Sequence, residues 1–244
     1  VADYAKHRPS YPAEAVDFVV RALGLARGSA VADLGSGTGI FSASLLDRGV
    51  HVRAVEPNAP MRQAAEGALA GREGFSSHGG SAESTCLPGH SVDAVVAAQA
   101  FHWFDPPRAR SECQRILRPT SAEANVALVW NARRESGTPF LDGYEQLLLH
   151  RAVDYAQVRH QGVASSGALS AFFGGTPKRW STPSVQVFDW AGLRGRAASS
   201  SYVPAPSHPQ HEVFFGELRA LFDRANEGGV VRFEYDVDVW YGRL

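Results

Sequence analysis

The sequence has little of what would place a protein by one feature. It holds only two cysteines, Cys86 and Cys113, too far apart for a C-x-x-C pair, so free thiols in a reducing compartment are expected. No run of about eighteen apolar residues occurs and no signal-peptide pattern is present, so a cytoplasmic place and no membrane partner are expected. The chain opens on Val1, and a few further residues are expected upstream. A net charge of −1 leaves no basic field for a phosphate backbone, so no nucleic-acid partner is expected. Internal repeats and low-complexity tails are also missing. What remains is ordinary for a globular protein, 44% hydrophobic and 20% charged. The length of 244 residues suits one α/β core, so residues 1–244 are expected to form a single domain.

The most informative stretch is Val31-Ala32-Asp33-Leu34-Gly35-Ser36-Gly37-Thr38-Gly39-Ile40. Val31 to Leu34 reads as a buried strand ending at a turn. Three alternating glycines let the backbone bend and approach a ligand without a Cβ in the way. From Ile40 the spacing of Phe41, Leu45 and Leu46 is helical. A strand, a glycine turn and a helix N-terminus make the nucleotide-site geometry of doubly wound sheets.

Before this unit, Tyr4, His7, Arg8 and Tyr11 sit among prolines, and Pro12 opens a helix. After it, Val50 to Val55 alternates as a second strand and runs into Glu56-Pro57-Asn58, with Asn58 placed to cap the next helix. An acid at the tip of the second strand is the usual partner of ribose hydroxyls in this architecture. Phe75 to His78 reads as a weak third strand, followed by the turn Gly80 to Glu83. Val92 to Ala98 is small and apolar, a strand buried on both faces, and it leads into Gln99-Ala100-Phe101-His102-Trp103. Asp105-Pro106 reads as the cap and first residue of a helix. Asn125 to Trp130 is a fifth strand, with Asn131 and Arg133 just past its end. Strands alternating with helices argue for a parallel sheet with right-handed crossovers.

Beyond residue 135 the pattern loosens. Residues 138–180 read as a helical insertion covering the site, and residues 181–244 as closing strands and a helix. Val185 to Trp190 and Val230 to Tyr241 look like strands, with an amphipathic helix over about Pro209 to Ala225. The aromatic residues Phe140, Tyr144, Phe172, Phe173 and Trp180 favour a flat, partly apolar acceptor. His208 and His211 have no third ligand nearby, so no metal site is expected.

Two cofactor readings compete for the glycine turn. A dinucleotide fingerprint wants its third glycine at the position held by Ile40, so that fingerprint fails in one of its parts. The G-x-G-x-G spacing with Asp33 two residues before it instead resembles motif I of class I S-adenosylmethionine-dependent methyltransferases. The resemblance runs from about Ala30 to Pro119 and includes the N-terminal Tyr-x-x-x-Arg-Pro-x-Tyr-Pro segment. It is nearest to the small-molecule branch, similar to the ubiquinone/menaquinone and trans-aconitate methyltransferases. Thr120 departs from it, since many relatives have glycine after that proline.

That resemblance implies a Rossmann-like, seven-stranded, mostly parallel sheet with flanking helices, the last strand antiparallel, over a cofactor core at residues 30–135 and a cap segment at 1–29. It implies S-adenosylmethionine as cofactor and a small-molecule acceptor methylated at O, N or C, in natural-product or secondary metabolism, by a monomer or homodimer. Cofactor contacts are then expected from Tyr4, Arg8, Asp33, Gly35, Ser36, Gly37, Thr38, Gly39, Glu56, Pro57, Asn58, Met61, Ala82, Glu83, Gln99, Ala100 and Phe101. Tyr11, Trp103, Asn131, Tyr144 and Tyr202 are expected at the acceptor. His102, at the carboxyl end of a central strand, is the candidate base or orienter. An NAD(P)-dependent oxidoreductase and a cofactor-binding protein without turnover stay open as alternatives.

Overall fold

The computed structural model describes residues 11–119, 122–155 and 167–244. Tyr4, His7, Arg8 and Thr120 lie outside the described residues. The first half is a run of strand–helix units: helix α1 (Ala13–Ala22), strand β1 (Ala30–Leu34), helix α2 (Ile40–Leu46), strand β2 (His51–Val55), helix α3 (Ala59–Ala68) and strand β3 (Phe75–His78). Strand β4 (Ala94–Ala98) ends in a 3₁₀ turn (Phe101–Trp103), and helix α4 (Pro106–Ile116) leads to strand β5 (Val126–Arg133). Then come helices α5 (Pro139–Arg151) and α6 (Ala168–Phe173), strand β6 (Lys178–Phe188), helices α7 (Trp190–Ala198) and α8 (His211–Ala225), and strand β7 (Val231–Gly242).

The seven strands form one sheet in the order β3-β2-β1-β4-β5-β7-β6. All neighbours from β3 to β5 pair in parallel, while β7 runs antiparallel to both β5 and β6. Strand alternation sorts the core into two layers. Leu34, Val95, Ala97 and Leu128 face one side, under Ala109, Cys113 and Ile116 of α4 and Phe172 of α6. Val31, Val52, Val96 and Val129 face the other, under Val16 and Val19 of α1 and Leu45 of α2. Because β1 and β4 are covered on both faces they carry only small or branched apolar residues apart from Asp33. A third apolar cluster, built by α5, α7, α8 and the first half of β7, packs Phe214, Leu218, Leu141 and Phe233.

Local capping follows the sequence closely. Asn58 Oδ1 accepts the Met61 amide at 3.1 Å, and Asp105 Oδ1 accepts the Arg108 amide at 3.2 Å. Both cysteines are free, Cys86 exposed and Cys113 buried, and burial pushes the Cys113 thiol far above its ordinary range. No helix among the described residues is long and apolar enough to cross a membrane.

Three expectations need correction. Trp180 belongs to β6 instead of the insertion; its ring stacks on Phe18 at 4.3 Å. The Ser, Thr and Pro residues around it read as loop, but β6 is an edge strand, where Pro183 costs no ladder bond that the sheet needs. Asn131 and Arg133 lie within β5, which is prolonged because β7 pairs with it as far as Arg133↔Tyr235. Trp190 starts a helix, capped by Asp189 accepting the Gly192 amide at 2.8 Å, where a strand end was expected. Helix α2 starts at Ile40, as the spacing indicated, with Gly39 as a left-handed cap.

Candidate functional site

The carboxyl ends of β1, β2, β4 and β5 open onto a cavity of about 530 Å³, beside the β1–β4 junction where the strand order reverses. Its floor is the glycine turn, tied to the neighbouring strand by backbone bonds. The amides of Gly35 and Ser36 donate to the Val55 carbonyl at 2.8 and 3.2 Å. Gly35, Gly37 and Gly39 all have positive φ, as the turn demands. Their surroundings differ. A Cβ on Gly35 would stand 2.5 Å from Ala100 Cβ, one on Gly39 2.9 Å from Leu69 Cδ1, and one on Gly37 would meet nothing within 4 Å.

Glu56 joins the turn to the tip of β2. One carboxylate oxygen accepts the Gly37 amide at 2.8 Å and the other the Asn58 amide at 2.8 Å. Each oxygen keeps a second lone-pair direction, and the residue is 7% exposed. Asp33 is buried more deeply. Its Oδ2 accepts the Ser42 hydroxyl at 2.6 Å, and Oδ1 has no partner. Burial pushes its pKa up to about 7, the Ser42 bond offsetting part of the rise and the Glu56 charge adding to it.

Folding stability should register this. Between pH 4 and 7 the folded chain holds a proton on Asp33 that the unfolded chain has already released, so stability falls as pH rises through that window. The loss is on the order of 4 kcal/mol across it, complete above the folded pKa. Denaturant melts of wild type and Asp33→Asn should therefore diverge in slope against pH, wild type falling more steeply. Parallel slopes would contradict the raised pKa.

Glu83 is committed to structure. Its Oε1 accepts the Asp105 amide at 2.9 Å. Burial opposes its ionisation, but that amide, the Ser81 hydroxyl, its own amide and Arg108 outweigh it and hold the carboxyl below its ordinary value. Gln99, at the end of β4, has φ of 56° although it is not glycine, and its Nε2 donates to the Asn131 carbonyl at 2.7 Å. Strain of this kind gathers at sites where surrounding structure enforces it. The Asn131 side chain is 7% exposed, lines the cavity, and has neither amide atom hydrogen-bonded.

The methyltransferase-domain family matches residues 32–122, the segment that builds this floor. The chain is 42% identical over 135 residues to an uncharacterised methyltransferase of Mycobacterium tuberculosis H37Rv, covering 55% of this chain and 51% of the relative. An uncharacterised methyltransferase-like protein of Schizosaccharomyces pombe is 31% identical over 152 residues, covering 61% and 56%. The chain thus spans about half the length of the curated relatives it matches. Among solved structures, a candidate type II methyltransferase from Anaeromyxobacter dehalogenans shares the fold across 97% of both chains, with a TM-score of 0.71 at 23% identity.

Of the residues expected at the methyltransferase cofactor, Asp33, Gly35, Ser36, Gly37, Thr38, Glu56, Pro57, Asn58, Met61, Ala82, Glu83, Gln99 and Ala100 line the cavity. Tyr11, Trp103 and Asn131, expected at the acceptor, line it as well. Gly39 does not; its tight approach to α3 makes it a packing position. Phe101 and His102 do not either. In a 3₁₀ turn successive side chains point about 120° apart, so the three residues diverge. Phe101 enters the core at 3% exposure, His102 turns outward, and Trp103 stands 80% exposed at the mouth. His102 packs near the Trp103 and Trp130 rings, at 4.8 and 5.5 Å between centroids. His102→Ala should therefore leave S-adenosylhomocysteine affinity within about twofold of wild type, as for other surface changes, readable by calorimetry.

Tyr144 and Tyr202 also lie elsewhere, Tyr144 fully buried in the third apolar cluster and Tyr202 packed against it. Phe140 joins that cluster, while Phe172 and Phe173 fill the core beside α4. The insertion's aromatics are thus used in packing and give no support to a flat acceptor. Sequence reading missed Ile40, Phe41, Ser81, Ala98 and Phe104 on the cavity wall. Each neighbours an expected residue, so adjacency was the available signal.

Proposed function

We propose that this chain transfers a methyl group from S-adenosylmethionine to O, N or C of a small-molecule acceptor. One observation carries the choice of ligand. Among the described residues the cavity wall holds Asp33, Glu56 and Glu83 and no lysine, arginine or histidine. A dinucleotide brings a pyrophosphate, which such a wall repels, whereas a cationic nucleoside without phosphate suits it. The residues also fit the group sterically: Gly37 leaves open space, and Asp33 Oδ1 and Ser36 Oγ are buried polar atoms awaiting partners.

In this reading Glu56 accepts the ribose hydroxyls with the lone pairs its two backbone amides leave over. Gly35 to Thr38 hold the amino-acid end, and the Ala82 segment lies along the base. When bound, the cofactor supplies an electrophilic methyl group to the acceptor nucleophile. The protein's share is to hold both in line and keep water out, an arrangement whose effective concentration can supply much of the rate. No side chain of the wall is placed as a strong base: Glu56 and Glu83 accept backbone amides, and Asp33, about half ionised at pH 7, is held by the Ser42 hydroxyl.

Calorimetric titration with S-adenosylhomocysteine and, separately, with NADH tests the reading. Binding of the first and not the second is expected. Binding of NADH alone would replace it with an oxidoreductase, and binding of neither would leave the turn a purely structural device.

A further inference from the structure

The ladder between β4 and β5 ends with a side chain standing in for backbone. Along β4 every second amide donates across, Val95 to the Asn125 carbonyl and Gln99 to the Val129 carbonyl, both at 2.9 Å. The next in that series would be the Phe101 amide on the Asn131 carbonyl, but Phe101 has already entered the 3₁₀ turn. Gln99 fills the gap with its side chain, Nε2 donating to that carbonyl at 2.7 Å. It does so with φ at 56°, a conformation easy for glycine and strained for a side chain.

This bond fixes which way the amide faces. Only its NH₂ group can donate to a carbonyl, so Oε1 is the atom turned away from Asn131. Nothing among the described residues donates to Oε1, and it is not screened from solvent. Gln99 lines the cavity, so this oxygen is an acceptor with room for a ligand beside it. It stands at the β4–β5 end, past the glycine turn of β1 and the acid of β2. Trp103 gives the cavity an apolar mouth, 80% exposed, with Tyr11 and Phe104 also on the wall.

We propose that Gln99 selects the acceptor: Oε1 receives the hydrogen of the reacting hydroxyl or amine, on a neutral molecule whose apolar ring covers Trp103. The proposal rests on the methyl-transfer reading for calling the ligand an acceptor. A carboxylate has no hydrogen to give, and it would set lone pairs against Oε1 and charge against Asp33, Glu56 and Glu83. Holding the hydrogen leaves a lone pair of the same atom free to attack. That atom bonds to the methyl carbon as the carbon–sulfur bond breaks and its electron pair stays on sulfur. The hydrogen leaves as a proton to water, since an amide oxygen is too weak a base to keep it. Methylation of a hydroxyl thereby removes the group that Gln99 holds, which favours release of the product.

Ligand-observed NMR tests this with pairs that differ by that hydrogen: phenol and anisole, 2-naphthol and 2-methoxynaphthalene, aniline and N,N-dimethylaniline. Benzoate and 2-naphthoate serve as the anions, and every probe is run with and without saturating S-adenosylhomocysteine. The hydrogen-bearing member should bind roughly three- to tenfold more tightly than its methylated partner, the worth of one hydrogen bond. Apolar burial alone favours the methylated member, so the sign is diagnostic. Both anions should bind more weakly than either. Gln99→Met should bring each ratio to one or below. Gln99→Lys keeps a donor for the Asn131 carbonyl but offers no acceptor, so it should abolish the preference too and strengthen benzoate binding; it carries the test if Gln99→Met fails to fold. Trp103→Ala should weaken both members of a pair alike and leave their ratio.

Equal binding within pairs, or no binding of any probe, would overturn the proposal. A preference that survives Gln99→Lys would do so as well, because Gln99 would then only end the ladder. So would a loss of S-adenosylhomocysteine affinity in Gln99→Lys as large as its loss of phenol affinity, which would make Gln99 a cofactor contact. S-adenosylhomocysteine binding without a pair preference overturns the proposal and leaves the methyl-transfer reading standing. A pair preference without S-adenosylhomocysteine binding keeps the Gln99 site and removes that reading.

Discussion

Glu56→Ala should weaken S-adenosylhomocysteine binding by about ten- to a hundredfold, the worth of losing charge-assisted hydrogen bonds at 1.5–3 kcal/mol. Two effects combine. The ribose loses its acceptor, and the amides of Gly37 and Asn58, each now 2.8 Å from a Glu56 oxygen, lose theirs. The second effect loosens the turn that shapes the floor, so affinity falls even before contacts with the ligand are counted. Glu56→Gln should be nearly as damaging. One side-chain oxygen is replaced by an NH₂ group that faces a backbone amide, donor against donor. Calorimetry on the two variants reads this directly. An affinity within twofold of wild type for both would remove Glu56 from the cofactor site.

Gly35→Ala should strike the fold where Gly37→Ala strikes the ligand. At Gly35 φ is +67° and the added methyl would sit 2.5 Å from Ala100 Cβ and 3.8 Å from the Phe104 ring. A left-handed alanine costs about 1–2 kcal/mol and an overpacked core contact about 1–3 more. For a chain of this size that is roughly a 5–15 °C fall in melting temperature. At Gly37 φ is +56° but the methyl meets no protein atom within 4 Å. Only the backbone term remains, and the space taken is cavity space. Thermal melts and S-adenosylhomocysteine titrations of the two variants should therefore separate, Gly35→Ala losing mainly stability and Gly37→Ala mainly affinity. Equal melting temperatures would mean that Ala100 moves aside and that the close approach is not what requires a glycine.

Much of the cofactor half was legible because its signals are local. The run Val31 to Leu34, the glycines after it and Asn58 before its helix each act within a few residues. Propensity, capping and φ requirements therefore determine them without reference to the rest of the chain. Strand β2 ends in Glu56 for the same reason. The second half resisted because its assignments depend on partners far away. Trp180 is a strand residue only because Phe18 and β7 receive it, and β5 continues to Arg133 only because Tyr235 pairs with it.

The sequence by itself thus determined the order of strands and helices through residue 119, the glycine turn and the acid that meets it. Tertiary structure alone decided which way each side chain after β4 points. A 3₁₀ turn there sends Phe101 inward, His102 outward and Trp103 to the cavity mouth, a divergence that one-dimensional spacing does not encode. It also decided that the insertion's aromatics fill cores, and that Asn131 and Tyr235, far apart in the chain, come to lie on one face of the sheet. Burial is a property of the assembled layers. A polar atom becomes unsatisfied only when other segments exclude water from it, and no local pattern records that.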